Sequence, residues 1–326
     1  MSLQPNDYLY SSARIHAMEG RMIGREKLER MLEAPTAAEA MALVGAPEMT
    51  APAAREAWFS AQLADAYREI LAILPAPDAV RFLQYPYDCN NIKAVLKCAV
   101  RGIDPASMLS SCATLPVEAY AAMAETKDYS ALPTNMAAAA EAAYAAYAHT
   151  ADPQQIDLIL DRACYADMCA AAKSPFTAQL VRVKIDLTNL MIFLRVLRMG
   201  LTESNRAMLE AALLPGGDVP VERFRAAVAG GESGLREALA SSVCARVLDR
   251  ADGEAEPTLA ALECACDDVW MAYVREARYV SFGEAVPVAY LIAWETAVKN
   301  MRIICAGKDA GLPRDIIRER MRACYA

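Results

Sequence analysis

One pattern occurs twice in this chain: DCNNIKAVLK at residues 88–97 and DLTNLMIFLR at residues 186–195. Both stretches read Asp-x-x-Asn, followed by apolar residues one, four and five positions after the asparagine and then a basic residue. On a helix, the positions one, four, five and eight after the asparagine line a single face. The pattern therefore predicts two related helices that bury this face in a core.

A third copy of the pattern is incomplete. It reads NMRIIC at residues 300–305 and has Ala297 in the place of the aspartate. In all three copies a glycine follows the asparagine after eleven residues, at Gly102, Gly200 and Gly311. The equal spacing predicts three related helices.

A second, shorter element also repeats. It reads PVEAY at residues 116–120, PVERF at residues 220–224 and GREKL at residues 24–28. A period near 100 residues is too long for one turn of a solenoid. The repeats predict three similar helical subdomains in a pseudo-threefold arrangement, with boundaries at residues 1–115, 116–219 and 220–326.

The composition agrees with an all-α fold. Apolar residues make up 56% of the 326-residue chain, and much of that fraction is alanine. Only three residues are Trp and six are Phe. Alanine is the strongest helix former. The net charge of −8 argues against non-specific nucleic-acid binding, which needs surplus lysine and arginine.

The sequence gives no sign of a membrane span or of a secretion signal. Even the most apolar window, residues 190–197, contains Arg195. The first ten residues lack the basic-then-apolar order of a signal peptide. We therefore expect a cytoplasmic protein that is at most peripheral to a membrane.

Motifs of catalysis and of metal or cofactor binding are missing. The ten cysteines form no CxxC pair and the chain has two histidines, so a zinc site is not expected. The sequence contains no phosphate-binding GxxxxGK[ST] loop, no GxSxG and no HExxH. We expect no catalytic residue, no cofactor and no metal.

The polar residues of the repeated pattern allow two interpretations. In the first, the aspartate favours the positive end of the helix dipole and the asparagine bonds a neighbouring helix. In the second, three helix starts gather around an axis and present polar groups to a partner protein. The candidate partner-binding residues of the second interpretation are Asp88, Asn91, Asp186, Asn189, Asn300 and Arg302.

A further candidate lies near the end of the chain. Arg314, Arg318 and Arg322 recur at every fourth residue, so one helix would place them on one face. Such a stripe is either a solvated surface or a docking face for an acidic partner. The sequence leaves both interpretations open.

Four stretches, read together with the repeats, carry a resemblance to a known family. They are YLYSSARIHAME at 8–19, REKLERMLEA at 25–34, YDCNNIK at 87–93 and EAVPVAYL at 284–291. In their order and number they resemble the C subunit of the bacterial and archaeal V/A-type ATPases, the counterpart of the d subunit in the eukaryotic vacuolar enzyme. The resemblance covers nearly the whole chain, although the third repeat lacks its aspartate.

The resemblance implies a funnel-like, non-catalytic rotor component of the central stalk. It would contact the central-shaft subunits and the membrane proteolipid ring, transmit torque between ATP turnover and H⁺ or Na⁺ transport, and be a monomer when isolated. Two alternatives remain open from the residues alone. One is a generic all-helical scaffold protein, and the other is a helical enzyme with an unrecognised site.

Overall fold

A computed structural model describes residues 4–251 and 257–325 of the chain. Over these residues the regular structure is helical and contains no strand. The predicted all-α fold class is therefore confirmed. The described part of the chain also has no helix that is both long and apolar enough to cross a membrane.

The chain packs as two compact units, one formed by the described residues of 1–77 and 243–326 and the other by residues 78–242. We number the α-helices α1 to α17 in chain order. The first unit holds α1 (Leu9–Glu19), α2 (Arg25–Glu33), α3 (Ala37–Ala42), α4 (Pro52–Ile73), α14 (Ala245–Ala251), α15 (Leu259–Val274), α16 (Ala285–Asp309) and α17 (Arg314–Arg320). Short 3₁₀ helices cover Pro5–Tyr8 and Arg275–Tyr279.

The second unit contains the middle of the chain. Its helices are α5 (Asp78–Arg81), α6 (Tyr85–Arg101), α7 (Val117–Thr126), α8 (Thr134–Thr150), α9 (Gln154–Ala171), α10 (Pro175–Met199), α11 (Glu203–Ala212), α12 (Val221–Ala227) and α13 (Gly231–Leu239). Its 3₁₀ helices cover Ala106–Met108 and Val228–Gly230. Helix α9 packs against both α6 and α8.

The three copies of the repeated pattern form α6, α10 and α16, which we call the Asn helices. Gly102 and Gly200 directly follow α6 and α10, and Gly311 follows α16 after one more residue. Their φ angles are +65°, +87° and +66°. A Cβ atom at any of them would meet nothing within 4 Å, so the backbone conformation rather than crowding favours glycine. All three glycines therefore lie directly after, or one residue beyond, the last residue of an Asn helix.

The predicted core face of the Asn helices is confirmed over two turns and wrong at the last. In α6, the side chains of Ile92, Val95 and Leu96 are buried. The eighth position after the asparagine, however, is an exposed Ala99 in α6, and the buried side chain there is Cys98. In α10 the eighth position is half-buried, one residue after a buried valine. The buried stripe shifts back by one residue because the last turn lies at the margin of the core.

The short repeated element also forms a helix in each copy. Helices α2, α7 and α12 begin directly after Gly24, Pro116 and Pro220. In each of them the fourth helical residue is a fully buried apolar or aromatic side chain, at Leu28, Tyr120 and Phe224. The division into three subdomains at residues 1–115, 116–219 and 220–326 stays a prediction.

Candidate partner-binding site

The asparagine of the first Asn helix holds the backbone of a distant residue through both of its side-chain atoms. Asn91 Nδ2 donates to the carbonyl oxygen of Ser110 at 3.0 Å, and the Ser110 amide donates to Asn91 Oδ1 at 2.7 Å. We call this pair of hydrogen bonds an Asn clamp. It fixes the chain that returns after the helix against the side of α6.

The other two asparagines make the same clamp. Asn189 exchanges two hydrogen bonds of 2.8 Å with the backbone of Leu214. Asn300 exchanges bonds of 2.9 and 2.7 Å with the backbone of Arg322. Each clamp therefore satisfies one donor and one acceptor of a segment that lies 19 to 25 residues further along the chain.

The first aspartate of the pattern also binds the returning segment. Asp88 accepts hydrogen bonds from the backbone amide of Thr114 at 2.7 Å, from the Thr114 hydroxyl at 2.8 Å and from the Tyr120 hydroxyl. Its side chain is fully buried. Burial raises the pKa of Asp88 above the ordinary value for an aspartate, and the three hydrogen bonds oppose that rise.

The second aspartate binds backbone amides of its returning segment. The amide of Val219 donates to Asp186 Oδ1 at 3.1 Å, and the Asp218 amide donates as well. Burial raises the pKa of Asp186 to about 6, with a further contribution from the negative charge of Asp218. A Cβ at Gly217 would lie 2.0 Å from Asp186 Oδ1, so the close approach of the backbone requires glycine there.

In the third copy, which lacks the aspartate, a carboxylate of another helix binds the returning segment. Asp268 of α15 accepts the backbone amide of Ala323 at 2.7 Å, one residue after the clamped Arg322. Sequence reasoning missed Asp268 because it lies 29 residues before Ala297, the position of the absent aspartate. The third returning segment is thus bound by a carboxylate from outside the repeated pattern, one residue after the clamped residue rather than four or five residues after it.

These contacts change the interpretation of five predicted site residues. The side chains of Asp88, Asn91, Asp186, Asn189 and Asn300 are 0–1% exposed. The three asparagines bond the backbone of returning segments rather than a neighbouring helix, so the first interpretation was right about a structural role and wrong about the element that the asparagine bonds. Direct contact of these residues with a partner stays a prediction.

The prediction that these groups lie at helix starts holds for one copy only. Asp88 lies in the first turn of α6. Asp186 lies eleven residues after Pro175, the first residue of α10, and Asn300 is deep within α16. The predicted start of α10 was too late because the apolar pattern begins well inside that helix. The earlier Ser174-Pro175 pair, which caps α10, was a readable signal.

Arg302 is the one residue of the first candidate set that reaches the surface. Its guanidinium donates to both carboxylate oxygens of Glu56 at 2.9 and 2.6 Å. It also lies 5.8 Å from the centre of the Phe59 ring. The ion pair connects α16 to α4, and about a third of the Arg302 side chain is exposed.

The arginine stripe was predicted on one helix face, and this prediction is wrong for its last member. Helix α17 ends at Arg320, so Arg322 lies beyond it. Arg322 is nearly buried and binds Asp267 at 2.9 Å. The helix ends early because the returning chain must enter the Asn300 clamp, which is incompatible with continued helical hydrogen bonding. No local feature of the sequence indicates this contact.

Arg314 and Arg318 remain together on an exposed face. Arg314 pairs with Glu33 at 2.6 Å, and Arg318 lies 3.2 Å from Glu29 and 3.4 Å from Glu33. About half of each arginine side chain is exposed. We call these four residues the α2–α17 surface. The two glutamates were not singled out from the sequence, because the packing of α17 on α2 has no local signal.

An open groove adjoins this surface. It has a volume of about 970 Å³ and is lined by residues of α2, of the turn after it, of α3 and by Leu43, which directly follows α3. The lining includes Glu29 and Glu33 of the α2–α17 surface and the apolar side chains of Pro35 and Leu43. Charged groups beside an apolar groove can bind a complementary protein surface. Among the described residues, no group of three His, Cys, Asp or Glu side chains could hold a metal ion.

Known proteins with similar sequences were found along nearly the whole chain. A family profile described as the ATP synthase (C/AC39) subunit matches residues 11–320. The C subunit of the A-type ATP synthase of Thermococcus kodakarensis is 25% identical over 96% of this chain and 89% of its own length. The protein of the same description from Thermococcus gammatolerans is 25% identical over 96% and 90%. The C subunit of the V-type sodium ATPase of Enterococcus hirae is 25% identical over 53% of this chain and 52% of its own.

Proposed function

Because this chain belongs to the ATP synthase (C/AC39) subunit family, we propose that it is a non-catalytic component of the central stalk in a V/A-type rotary ATPase. It links the central-shaft subunits to the membrane proteolipid ring. It transmits torque between ATP turnover and the transport of H⁺ or Na⁺. The observation that carries this proposal is the family match across residues 11–320. The protein acts at the cytoplasmic face of the membrane as a peripheral part of the complex.

The clamps support a mechanical role. A part that transmits torque must resist bending, and a helix packed only by apolar contacts can slide against its neighbours. Each Asn clamp adds two directional hydrogen bonds, buried or partly buried, between a long helix and a returning segment. Such bonds fix the register of the two elements because a shift of one residue would leave both backbone groups unsatisfied.

The α2–α17 surface is the proposed contact with an acidic partner in the complex. Arg314 and Arg318 offer two exposed cations, and their present carboxylate partners are Glu33, the partly exposed Glu29 and, for Arg318, also Asp315 of the same helix. Exposed ion pairs contribute little to stability, typically about 0–1 kcal/mol, so they can be exchanged for intermolecular pairs at little cost. Arg302 is a second, weaker candidate because its pair with Glu56 is bidentate.

Purification of the membrane complex through this chain tests the proposal. The tagged chain is expressed in its own cells, and detergent-extracted membranes are purified on the tag. We expect the catalytic, central-shaft and proteolipid subunits of a rotary ATPase to copurify, identified by mass spectrometry. Copurification with unrelated proteins would favour a scaffold, and an intact rotary ATPase that purifies without this chain would contradict the proposal.

A further inference from the structure

The first helix of the chain buries polar side chains and exposes apolar ones. On α1, Ser11 and Ser12 are 1% and 0% exposed. The neighbouring Leu9 and Tyr10 are 51% and 67% exposed. A helix at the surface of a globular protein normally has the opposite pattern, with its polar face towards solvent. The exposed face of α1 therefore has the composition of a face that another surface covers.

The two buried serines have hydrogen-bond partners inside the fold. Ser11 Oγ donates to the carbonyl oxygen of Tyr8 at 3.0 Å. Ser12 Oγ accepts a hydrogen bond from the amide of Gly283 at 3.3 Å. Ile15 on the same side is completely buried, and α1 packs on α16 and α4. The orientation of α1 is thus fixed, and its apolar outer face cannot turn inward without breaking these contacts.

A loop beside α1 extends this apolar surface. Phe282 lies between two residues that contact α1, since the Gly283 amide bonds a serine of α1 and the Ser281 carbonyl oxygen lies 3.2 Å from His16 Nε2. The Phe282 side chain is 36% exposed, and Tyr279, which ends the 3₁₀ helix before the loop, is 92% exposed. We define the α1 apolar face as the exposed apolar residues of α1 and of this neighbouring segment, which are Leu9, Tyr10, Ala13, Ala17, Tyr279 and Phe282.

The charged groups around the α1 apolar face are mostly acidic. Four carboxylates lie on α1, just before it or on the segments packed beside it, at Asp7, Glu19, Glu69 and Glu284. The cations are Arg14, which pairs with Glu69 at 3.4 Å, and Arg21, which follows α1. The exposed charges of the 3₁₀ helix before the loop, Glu276 and Arg278, are of opposite sign. The border of the face therefore has a net negative charge.

This charge distinguishes between the possible occupants of the face. Anionic lipid headgroups at a membrane surface would repel an acidic border. A second copy of the chain would bring two acidic borders together, and like charges across an interface are unfavourable. A protein surface with an apolar centre and lysine or arginine around it is complementary to both the face and its border.

We propose that the α1 apolar face is the docking site for a neighbouring subunit of the rotary ATPase, which binds through an apolar segment bordered by lysine or arginine. This inference rests on the proposed function, because the partner is a subunit of that complex. Tyr10 and Tyr279 are the anchors of the contact, since tyrosine is enriched among the residues that dominate binding at the centre of an interface. The site shares no residue with the α2–α17 surface and takes a partner of the opposite charge.

Two bulky substitutions of opposite charge at Ala13 test the sign of the partner's charge. Ala13→Lys and Ala13→Glu are each expressed together with the wild-type chain, and the ATPase is purified through a tag on a catalytic subunit. Mass spectrometry then compares the ratio of variant to wild-type chain in the complex with that ratio in the cell extract. We expect Ala13→Lys to be incorporated about tenfold less than Ala13→Glu, because only the lysine meets charges of its own sign.

A second position and a control keep the test independent of folding. Ala17→Lys and Ala17→Glu, one helical turn further along α1, should show the same order. Ala260→Lys and Ala260→Glu change an exposed residue of α15 and should be incorporated equally. The melting temperatures of all purified variants show whether they fold like the wild-type chain.

Equal incorporation of the lysine and glutamate variants at both positions, or a preference for lysine, would overturn the docking proposal and leave the proposed function intact. A purified ATPase that contains neither the variant nor the wild-type chain would contradict the proposed function and the docking proposal with it. A photoreactive phenylalanine analogue at position 17 of the chain in the purified complex identifies the occupant. A crosslink to a lysine- or arginine-containing segment of another ATPase subunit would support the proposal. A crosslink to lipid or to a second copy of the chain, or no crosslink at all, would overturn it.

Discussion

In the first two copies of the Asp-x-x-Asn pattern, the aspartate accepts hydrogen bonds from different kinds of donor. Asp88 receives one backbone amide and the hydroxyls of Thr114 and Tyr120. Asp186 receives backbone amides and lies beside the negative charge of Asp218. Burial raises the pKa of both carboxylates, but hydroxyl donors oppose the rise at Asp88, whereas the pKa of Asp186 is raised to about 6. The difference lies in the returning segments and not in the pattern.

The two clamps differ in burial, and this difference gives the largest expected effect. The Asn189 clamp on Leu214 is completely buried, whereas Ser110 of the first clamp is half-buried. Replacing Asn189 by Ala leaves a buried amide and carbonyl unsatisfied, and should lower the free energy of unfolding by about 3–5 kcal/mol. Asn91→Ala should cost about 1–3 kcal/mol because water can reach Ser110.

Urea unfolding followed by circular dichroism measures both variants. The explanation by burial requires that Asn91→Ala lowers the free energy of unfolding clearly less than Asn189→Ala does. Equal losses in the two variants would mean that burial of the clamped residue does not determine how much a clamp stabilises the fold.

The hydroxyl donors of the first copy give the next effect. In Asp88→Asn, one carboxylate oxygen becomes an NH₂ group that cannot accept, so either the hydrogen bond from the Thr114 hydroxyl or that from the Tyr120 hydroxyl is lost. We expect a loss of about 2 kcal/mol at pH 7, measured by thermal and urea unfolding. Tyr120→Phe on its own should cost about 1 kcal/mol and serves as the matched control. If the Asp88→Asn variant is as stable as the wild type, the stabilisation from the Thr114 and Tyr120 hydroxyls does not depend on the negative charge of Asp88.

The matching substitution at the second aspartate, Asp186→Asn, should raise the free energy of unfolding, whereas Asp88→Asn should lower it. Its pKa in the folded protein, about 6, lies above the ordinary value of 3.8, so the folded state binds the proton more tightly than the unfolded state. The ionised form therefore costs stability above pH 6, and this cost disappears as the pH falls towards 3.8. Asp186→Asn keeps an acceptor for Val219 and should raise the free energy of unfolding by about 1–2 kcal/mol at pH 7.

Unfolding at several pH values checks this sign. The gain from Asp186→Asn should shrink between pH 7 and pH 5, because the wild-type carboxylate becomes protonated over that range. Asp218→Asn is the control and should give a smaller gain, since it removes the neighbouring charge but also breaks the ion pair of Asp218 with Arg182 at 3.1 Å. A constant gain at all pH values would contradict the raised pKa.

The sequence predicted the repeated helices because their apolar face depends on local spacing, but it placed the start of α10 too late and extended α17 too far. The apolar face of α6 and the glycines that end the Asn helices follow from helix geometry and from the backbone freedom of glycine. The clamps could not be predicted, because an asparagine that binds backbone atoms places no requirement on the side chain of its partner. Ser110, Leu214 and Arg322 accordingly have nothing in common. Asp268 was missed for the related reason that its contact joins distant parts of the chain.

The α2–α17 surface gives the smallest expected effect on the isolated chain. Arg314→Gln combined with Arg318→Gln should change the free energy of unfolding by less than about 1 kcal/mol, because all four charges are exposed. Binding to an acidic partner in the complex should weaken, and most clearly at low salt. Arg320→Gln on the same helix is the control. Unchanged binding of the double variant at low and at high salt would show that this face is merely solvated.

The most direct test of the central-stalk role is the coupling of ATP hydrolysis to ion transport in reconstituted vesicles. The rotary ATPase is prepared with and without this chain, and both rates are measured on the same vesicles. We predict that without the chain ATP hydrolysis continues while ion transport is lost, and that adding the purified chain restores transport. An unchanged number of ions moved per ATP in the absence of the chain would contradict the account.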